Sequence, residues 1–224
     1  TLTPEQQMLQ EAATRLFSAE ASAQRVRAAE AQGGFDAALW QQLVELGFAT
    51  MRMPEVDAPA GMGLLEAVLV AEIAGAHVAP VPLAEALTGA RLLAQLHGEA
   101  AAVWAAKVRD GALVVLAPLP LGAERLPVVP GGGGATAALL LDGDAVLLIE
   151  RQHLDARHSL GSAAVAVARR AIGATRPDGA VVLAQGPEAR EAFLAAIEEW
   201  KLLTAAQLAG LAHRALAMAA AYAS

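Results

Sequence analysis

Cysteine is absent from the 224-residue chain, which excludes disulfides, thiolate metal sites and cysteine nucleophiles. A reducing compartment suits such a chain, and the cytoplasm is the default expectation. Cationic side chains are scarce too: 16 Lys and Arg stand against 23 Asp and Glu, a net charge of -7, and they form no basic stripe. Phosphate binding needs clustered cations, so a nucleic-acid partner is excluded. Long apolar runs are also missing. The mean hydropathy is positive, but alanine supplies most of it. The longest charge-free run, Leu126 to Leu141, holds Pro130 and four consecutive glycines, so no membrane span is expected. The opening residues, Thr1-Leu2-Thr3-Pro4-Glu5-Gln6, lack the basic and apolar regions of a signal peptide.

What is present is ample material for a core: 56% of the residues are apolar, enough for one large domain or two small ones. The first 110 residues predict five helices divided by stop signals. Thr3 as N-cap, Pro4 at the first helical position and Gln6 as capping-box partner start the first, which runs to about Ala19. Asp36 caps a second helix, which carries Leu39, Trp40, Leu43 and Leu46 on one side and stops at Gly47. A loop rich in proline and glycine, Met53 to Gly63, leads to a third over Leu64 to Ala74. A fourth covers Leu83 to Leu96 and a fifth Glu99 to Arg109.

Beyond Asp110-Gly111 the pattern changes to short apolar runs bounded by turn residues. Strands are expected at Ala112–Ala117, Ala137–Leu141, Ala145–Ile149, Ala163–Ala168 and Ala180–Ala184, with a hairpin at Asp142-Gly143-Asp144. From Pro187 onward no proline occurs and only Gly210 interrupts, which predicts one helix of roughly ten turns. Its apolar residues surround most of the axis beyond Leu202, so cover is expected on several sides, from another subunit or from further polypeptide.

Three segments carry a family resemblance. The first is Leu39-Trp40-Gln41-Gln42-Leu43-Val44-Glu45-Leu46-Gly47-Phe48, and the second runs from Pro54-Glu55 through Gly61-Met62-Gly63-Leu64-Leu65-Glu66 to Glu72-Ile73-Ala74-Gly75. The third is Ala205-Ala206-Gln207-Leu208-Ala209-Gly210-Leu211-Ala212-His213-Arg214-Ala215-Leu216, leading to Ala221-Tyr222-Ala223. In order and spacing they resemble the acyl-CoA dehydrogenase family, with Ala58-Pro59 where that family has paired glycines. The resemblance implies an α+β, mostly helical fold: an N-terminal α-helical bundle (1–110), a reduced middle β domain (111–186) and a long C-terminal helix (187–224) belonging to a further helical bundle.

It further implies flavin-dependent α,β-dehydrogenation of an acyl-CoA or acyl-carrier thioester, with FAD shared at the subunit interface of a homo- or hetero-oligomer. The alternative is a non-catalytic subunit of the same kind that scaffolds a competent flavoprotein partner. Ala117 and Leu119 resemble the flavin-side positions, although Ala117-Pro118-Leu119-Pro120-Leu121-Gly122 stands where the family has Thr-Glu-Pro and its polar side chains. Leu83 and Leu87 resemble residues closing the acyl pocket. Glu198 resembles an acidic residue that holds the pantetheine chain, and Lys201 replaces a frequent arginine there. The alternative position for the catalytic base falls on Trp200, so no base is identified. Glu199, about 100° further round the helix, is expected to face solvent.

Other constellations carry no chemistry. None of the five histidines pairs at i, i+4 with a carboxylate on one helix, so a zinc site is not expected. Gly131 to Gly134 lacks the ending of a phosphate loop and is expected to be a flexible connection. Ser159 and Ser162 have no histidine and acid arranged beside them.

Overall fold

The computed structural model describes residues 2–54, 61–121, 128–157 and 164–223. Ala58-Pro59, His158, Ser159 and Ser162 lie outside them.

Among the described residues six α-helices, rather than five, precede Asp110. Helix α1 (Pro4–Glu20) has the expected capping box: Thr3 Oγ1 accepts from the Gln6 amide at 3.3 Å, and Gln6 Oε1 accepts from the Thr3 amide at 3.0 Å. The unforeseen helix is α2 (Ala23–Ala31), capped by Ser22 and burying only Ala29, so it has no apolar stripe for a periodicity argument to find. Helix α3 (Ala37–Glu45) starts where Asp36 accepts from the Leu39 amide at 2.9 Å, and Gly47, at φ 75, turns the chain out of it. Helices α4 (Leu64–Ala76), α5 (Leu83–Gln95) and α6 (Glu99–Arg109) follow.

Seven short strands among the described residues make two sheets. In the larger, β1 (Val114–Leu116) runs parallel to β3 (Ala137–Asp142), which pairs antiparallel with β4 (Ala145–Glu150) across Gly143, and β4 pairs antiparallel with β7 (Val181–Gln185). The smaller sheet joins β2 (Val128–Pro130), β6 (Val165–Ala168) and β5 (Leu154–Arg157), all antiparallel.

The larger sheet is covered on both faces, so its strands read as continuous apolar runs. Ala138 and Leu140 of β3 enter one core, with Phe17, Leu39, Trp40, Leu43 and Leu87. Ala137, Leu139 and Leu141 enter a second, with Leu92, Leu93, Trp104 and Phe193. Each fully buried Leu or Phe contributes about 1.5–3 kcal/mol.

The last helix, α7 (Pro187–Ala223), spans 37 residues as expected. It buries Ala189, Phe193, Ala196, Leu203, Ala206 and Gly210. Residues 211–223 are exposed on every side, so the cover expected beyond Leu202 reaches only to Gly210 within this chain. No helix among the described residues is long and apolar enough to cross a membrane.

Candidate functional site

Close approach of α4 and α7 creates the site. At Gly210 a Cβ would lie 1.8 Å from the Glu72 carbonyl oxygen, and at Gly75 it would lie 2.0 Å from that of Gln207. Only glycine permits backbones to touch in this way. The contact presents Gln207, Leu208 and Leu211 to the end of α4, where the chain reverses. That reversal is an αL termination with an unusual occupant: the Val78 amide donates to Gly75 O and the Ala79 amide to Ala74 O, both at 3.0 Å, while Val78 holds φ 50. A β-branched residue there is strained by about 1–2 kcal/mol. Pro80 and Pro82 then stiffen the approach to α5, and the Asp36 amide ties to Pro80 O at 2.9 Å.

The third wall is the glycine turn after β2. It is packed rather than flexible, which corrects the expectation for Gly131 to Gly134. A Cβ on Gly131 would meet Pro82 at 2.3 Å and one on Gly134 would meet Phe35 at 2.4 Å. Arg151 also donates to the Gly132 and Gly133 carbonyls. Room is too short for a Cβ at Gly131, Gly132 and Gly134, and tight at Gly133.

These walls enclose a cavity of about 240 Å³ lined mainly by Ala74, Val78, Ala79, Pro80, Val81, Pro82, Ala164, Leu208 and Leu211. Among the described residues two polar side chains reach it, Gln207 and Glu85, and Glu85 is the one ionisable group of that lining. Glu85 sits in the first turn of α5, where a helix N-terminus favours the anion. Burial outweighs this and pushes the carboxyl above the usual range; hydrogen bonds from the Trp200 indole and its own backbone amide only oppose the shift. Trp200 Nε1 donates to Glu85 Oε1 at 3.0 Å.

A second, more polar hollow of about 350 Å³ lies between α1, α4 and α7, with His77, His213, Arg214 and Glu72 around it. His213 Nδ1 stands 3.4 Å from Glu72 Oε1. Burial, with the Arg214 charge second, lowers the basicity of His77.

Of the residues singled out from the sequence, Leu83 and Leu87 are fully buried on α5, on either side of Glu85 in the chain. Glu198 and Lys201 pair at 2.7 Å on an exposed stretch of α7, away from the cavity lining. Ala117 is buried with its amide donating to Leu139 O at 2.9 Å, and Leu119 is exposed. Glu199 corrects the expectation of a solvent-facing role: its carboxylate binds Arg52 at 2.8 Å and approaches Arg91 at 3.3 Å, with the Arg52 and Glu199 side chains almost wholly buried. Sequence reasoning missed Glu85. An acid in a first helical turn ordinarily complements the helix dipole, and its partner Trp200 lies 115 positions away.

The sequence resemblance implies FAD beside Ala117-Pro118-Leu119-Pro120, and the groups there would fit it only in part. The stretch offers an apolar wall with no hydrogen-bonding side chain, and its two prolines have no N–H.

Comparison with known proteins accords with this architecture. Residues 3–101 match the family model described as acyl-CoA dehydrogenase, N-terminal domain. No curated protein sequence matches significantly. Among solved structures, the Tcur3481-Tcur3483 steroid ACAD superposes with a TM-score of 0.79 at 25% identity, covering 99% of this chain and 67% of that one. The ChsE4-ChsE5 complex from Mycobacterium tuberculosis gives 0.75 at 22% identity, with 99% and 67% covered. Butyryl-CoA dehydrogenase from Megasphaera elsdenii gives 0.75 at 16%, with 99% and 69% covered. Helical bundle, small sheets and long final helix are therefore the acyl-CoA dehydrogenase fold. Residues 3–101 are thus similar to the N-terminal domain of acyl-CoA dehydrogenases, and the chain spans about two thirds of the length of these structures.

Proposed function

We propose that the chain provides the acyl-binding part of a flavin-dependent enzyme that dehydrogenates an acyl-CoA, or a carrier-bound acyl thioester, between its α and β carbons. The observation that carries this reading is the apolar cavity between the α4–α5 reversal, the glycine turn and α7, built on the fold of that family. The cavity takes the acyl chain, with Leu83 and Leu87 backing the helix that walls it. Glu198 and Lys201 meet the pantetheine arm on the outer face of α7. Ala117 and Leu119 border the flavin, which is shared at a subunit interface and takes its remaining hydrogen bonds from other polypeptide. Bound FAD supplies the two-electron oxidant. In this reading residues 1–110, 111–186 and 187–224 act as helical domain, β domain and first helix of a further bundle, in the cytoplasm and in fatty acid metabolism.

Reconstitution with FAD tests it. A yellow protein that keeps its flavin through gel filtration, and whose absorbance bleaches with butyryl- or octanoyl-CoA, is expected. A preparation that stays colourless removes flavin binding by this chain alone.

A second reading, a non-catalytic subunit scaffolding a competent flavoprotein partner, is favoured by the apolar Ala117 to Pro120 stretch and by Trp200 at the alternative base position. Dehydrogenation by this polypeptide by itself would eliminate that reading.

A further inference from the structure

Among the described residues Val78 alone holds a positive φ without being glycine. The αL place at a helix end ordinarily falls to Gly or Asn, because a Cβ there crowds the backbone and branching worsens the crowding. The two hydrogen bonds of the reversal run between backbone groups, so neither requires a valine. Burial offsets little of the strain, since Val78 remains 42% exposed. Strained residues persist where some contact makes the conformation worthwhile, and they gather at ligand sites.

Val78 also belongs to the lining of the apolar cavity, as do Leu208 and Leu211 of α7, which are 60% and 41% exposed. Ala74, Val81 and Ala164 of the same lining are buried. The lining therefore passes from a buried wall of smaller residues to a rim where three larger apolar residues, from two directions in the chain, remain in water. On the scale by which an apolar cavity of about 150 Å³ holds benzene, the 240 Å³ here holds roughly eight to ten carbons. An acyl chain longer than that has to lie along the rim.

We propose that Val78 is a specificity-determining residue of this cavity: with Leu208 and Leu211 it grips the methylenes that the cavity leaves over, and so selects long apolar acyl groups over short ones. The inference rests on the acyl-thioester reading given above. Each methylene that leaves water strengthens binding by up to about fourfold, and an open, wet rim gains from this as a closed one does. Ligand contact offsets the strain and gives the valine a role that glycine or asparagine could not fill.

Hexanoyl-, octanoyl-, decanoyl- and dodecanoyl-CoA are compared by calorimetry on wild type, Val78→Asn and Val78→Ile. Wild type is expected to bind dodecanoyl-CoA about tenfold or more tightly than octanoyl-CoA. Val78→Asn, which relieves the backbone, is expected to raise the urea midpoint and yet bind dodecanoyl-CoA about threefold or more weakly, with hexanoyl-CoA unchanged. Val78→Ile keeps the preference. A wild-type affinity that stops rising at octanoyl-CoA overturns the proposal whether or not the variants fold, and so does an equal loss, or none, at every chain length in Val78→Asn. If no CoA ester binds, the acyl-thioester reading fails separately. Val78 is then judged by titrating 1-octanol while following the Val and Leu methyl resonances. Saturable shifts shared by Val78, Leu208 and Leu211 support the rim, whereas an unmoved Val78 overturns it.

Discussion

Arg52 and Glu199, 147 positions apart, meet in a two-pronged ion pair, Nε to Oε1 at 2.8 Å and Nη2 to Oε2 at 3.0 Å. Arg52 also donates to the Met62 carbonyl, so one guanidinium fastens α7 to the residues on both sides of the loop before α4.

Removing one partner leaves the other charge buried. Glu199→Gln is expected to cost about 3–5 kcal/mol, and the double variant Glu199→Leu with Arg52→Met is expected to recover most of that loss, because a well-packed apolar pair replaces a buried ion pair at little cost. Urea unfolding of the single and double variants measures both. Equal stabilities for wild type and Glu199→Gln would contradict the pairing.

The α4–α7 contact predicts a sharp contrast between glycines. Gly210→Ala places a methyl against the Glu72 carbonyl and is expected to lose at least about 1–3 kcal/mol. Gly143→Asn, in the β3–β4 turn at φ 62 with open space around it, is expected to change stability by less than about 1 kcal/mol. Thermal melts of the two variants give the comparison.

Glu85 makes stability depend on pH. Burial keeps a proton on the folded carboxyl at pH values where the unfolded chain, titrating near 4.5, has already lost it. Stability therefore falls as pH rises from the unfolded value toward the higher folded one. Glu85→Gln keeps an acceptor for the Trp200 indole and removes this dependence. Its melting temperature is expected to match that of wild type near about pH 4 and to exceed it near about pH 8. A constant difference across that range would show that Glu85 titrates normally.

Val78 stores strain at the rim of the cavity. Val78→Asn, which tolerates a positive φ, is expected to stabilise the fold by about 1 kcal/mol. A loss of stability in denaturant titrations would mean that the valine side chain contributes more through contact than its backbone loses.

Local signals made most elements legible. Thr3 with Gln6, Asp36 before Leu39, and Asp142-Gly143 each fix an element through neighbours in the chain, and the structure keeps all three. Helix α2 escaped because a helix burying one alanine has no stripe to detect. Strand β2 escaped because it is three residues ending in proline. The candidate site was hidden for a different reason: Glu199, Glu85 and the glycine turn take their character from Arg52, Trp200, Pro82 and Phe35, which folding alone brings beside them. Sequence position marks Glu85 and Glu199 as ordinary helical acids, and only distant partners give them buried roles.

The three tryptophans divide the two cores among themselves. Trp40 belongs to one core, Trp104 to the other, and Trp200 packs against both. An indole wedged between two apolar cores couples their melting, so heat or denaturant should dissolve them together rather than in sequence. Single-tryptophan versions of the chain would then give coincident fluorescence transitions from three separate vantage points.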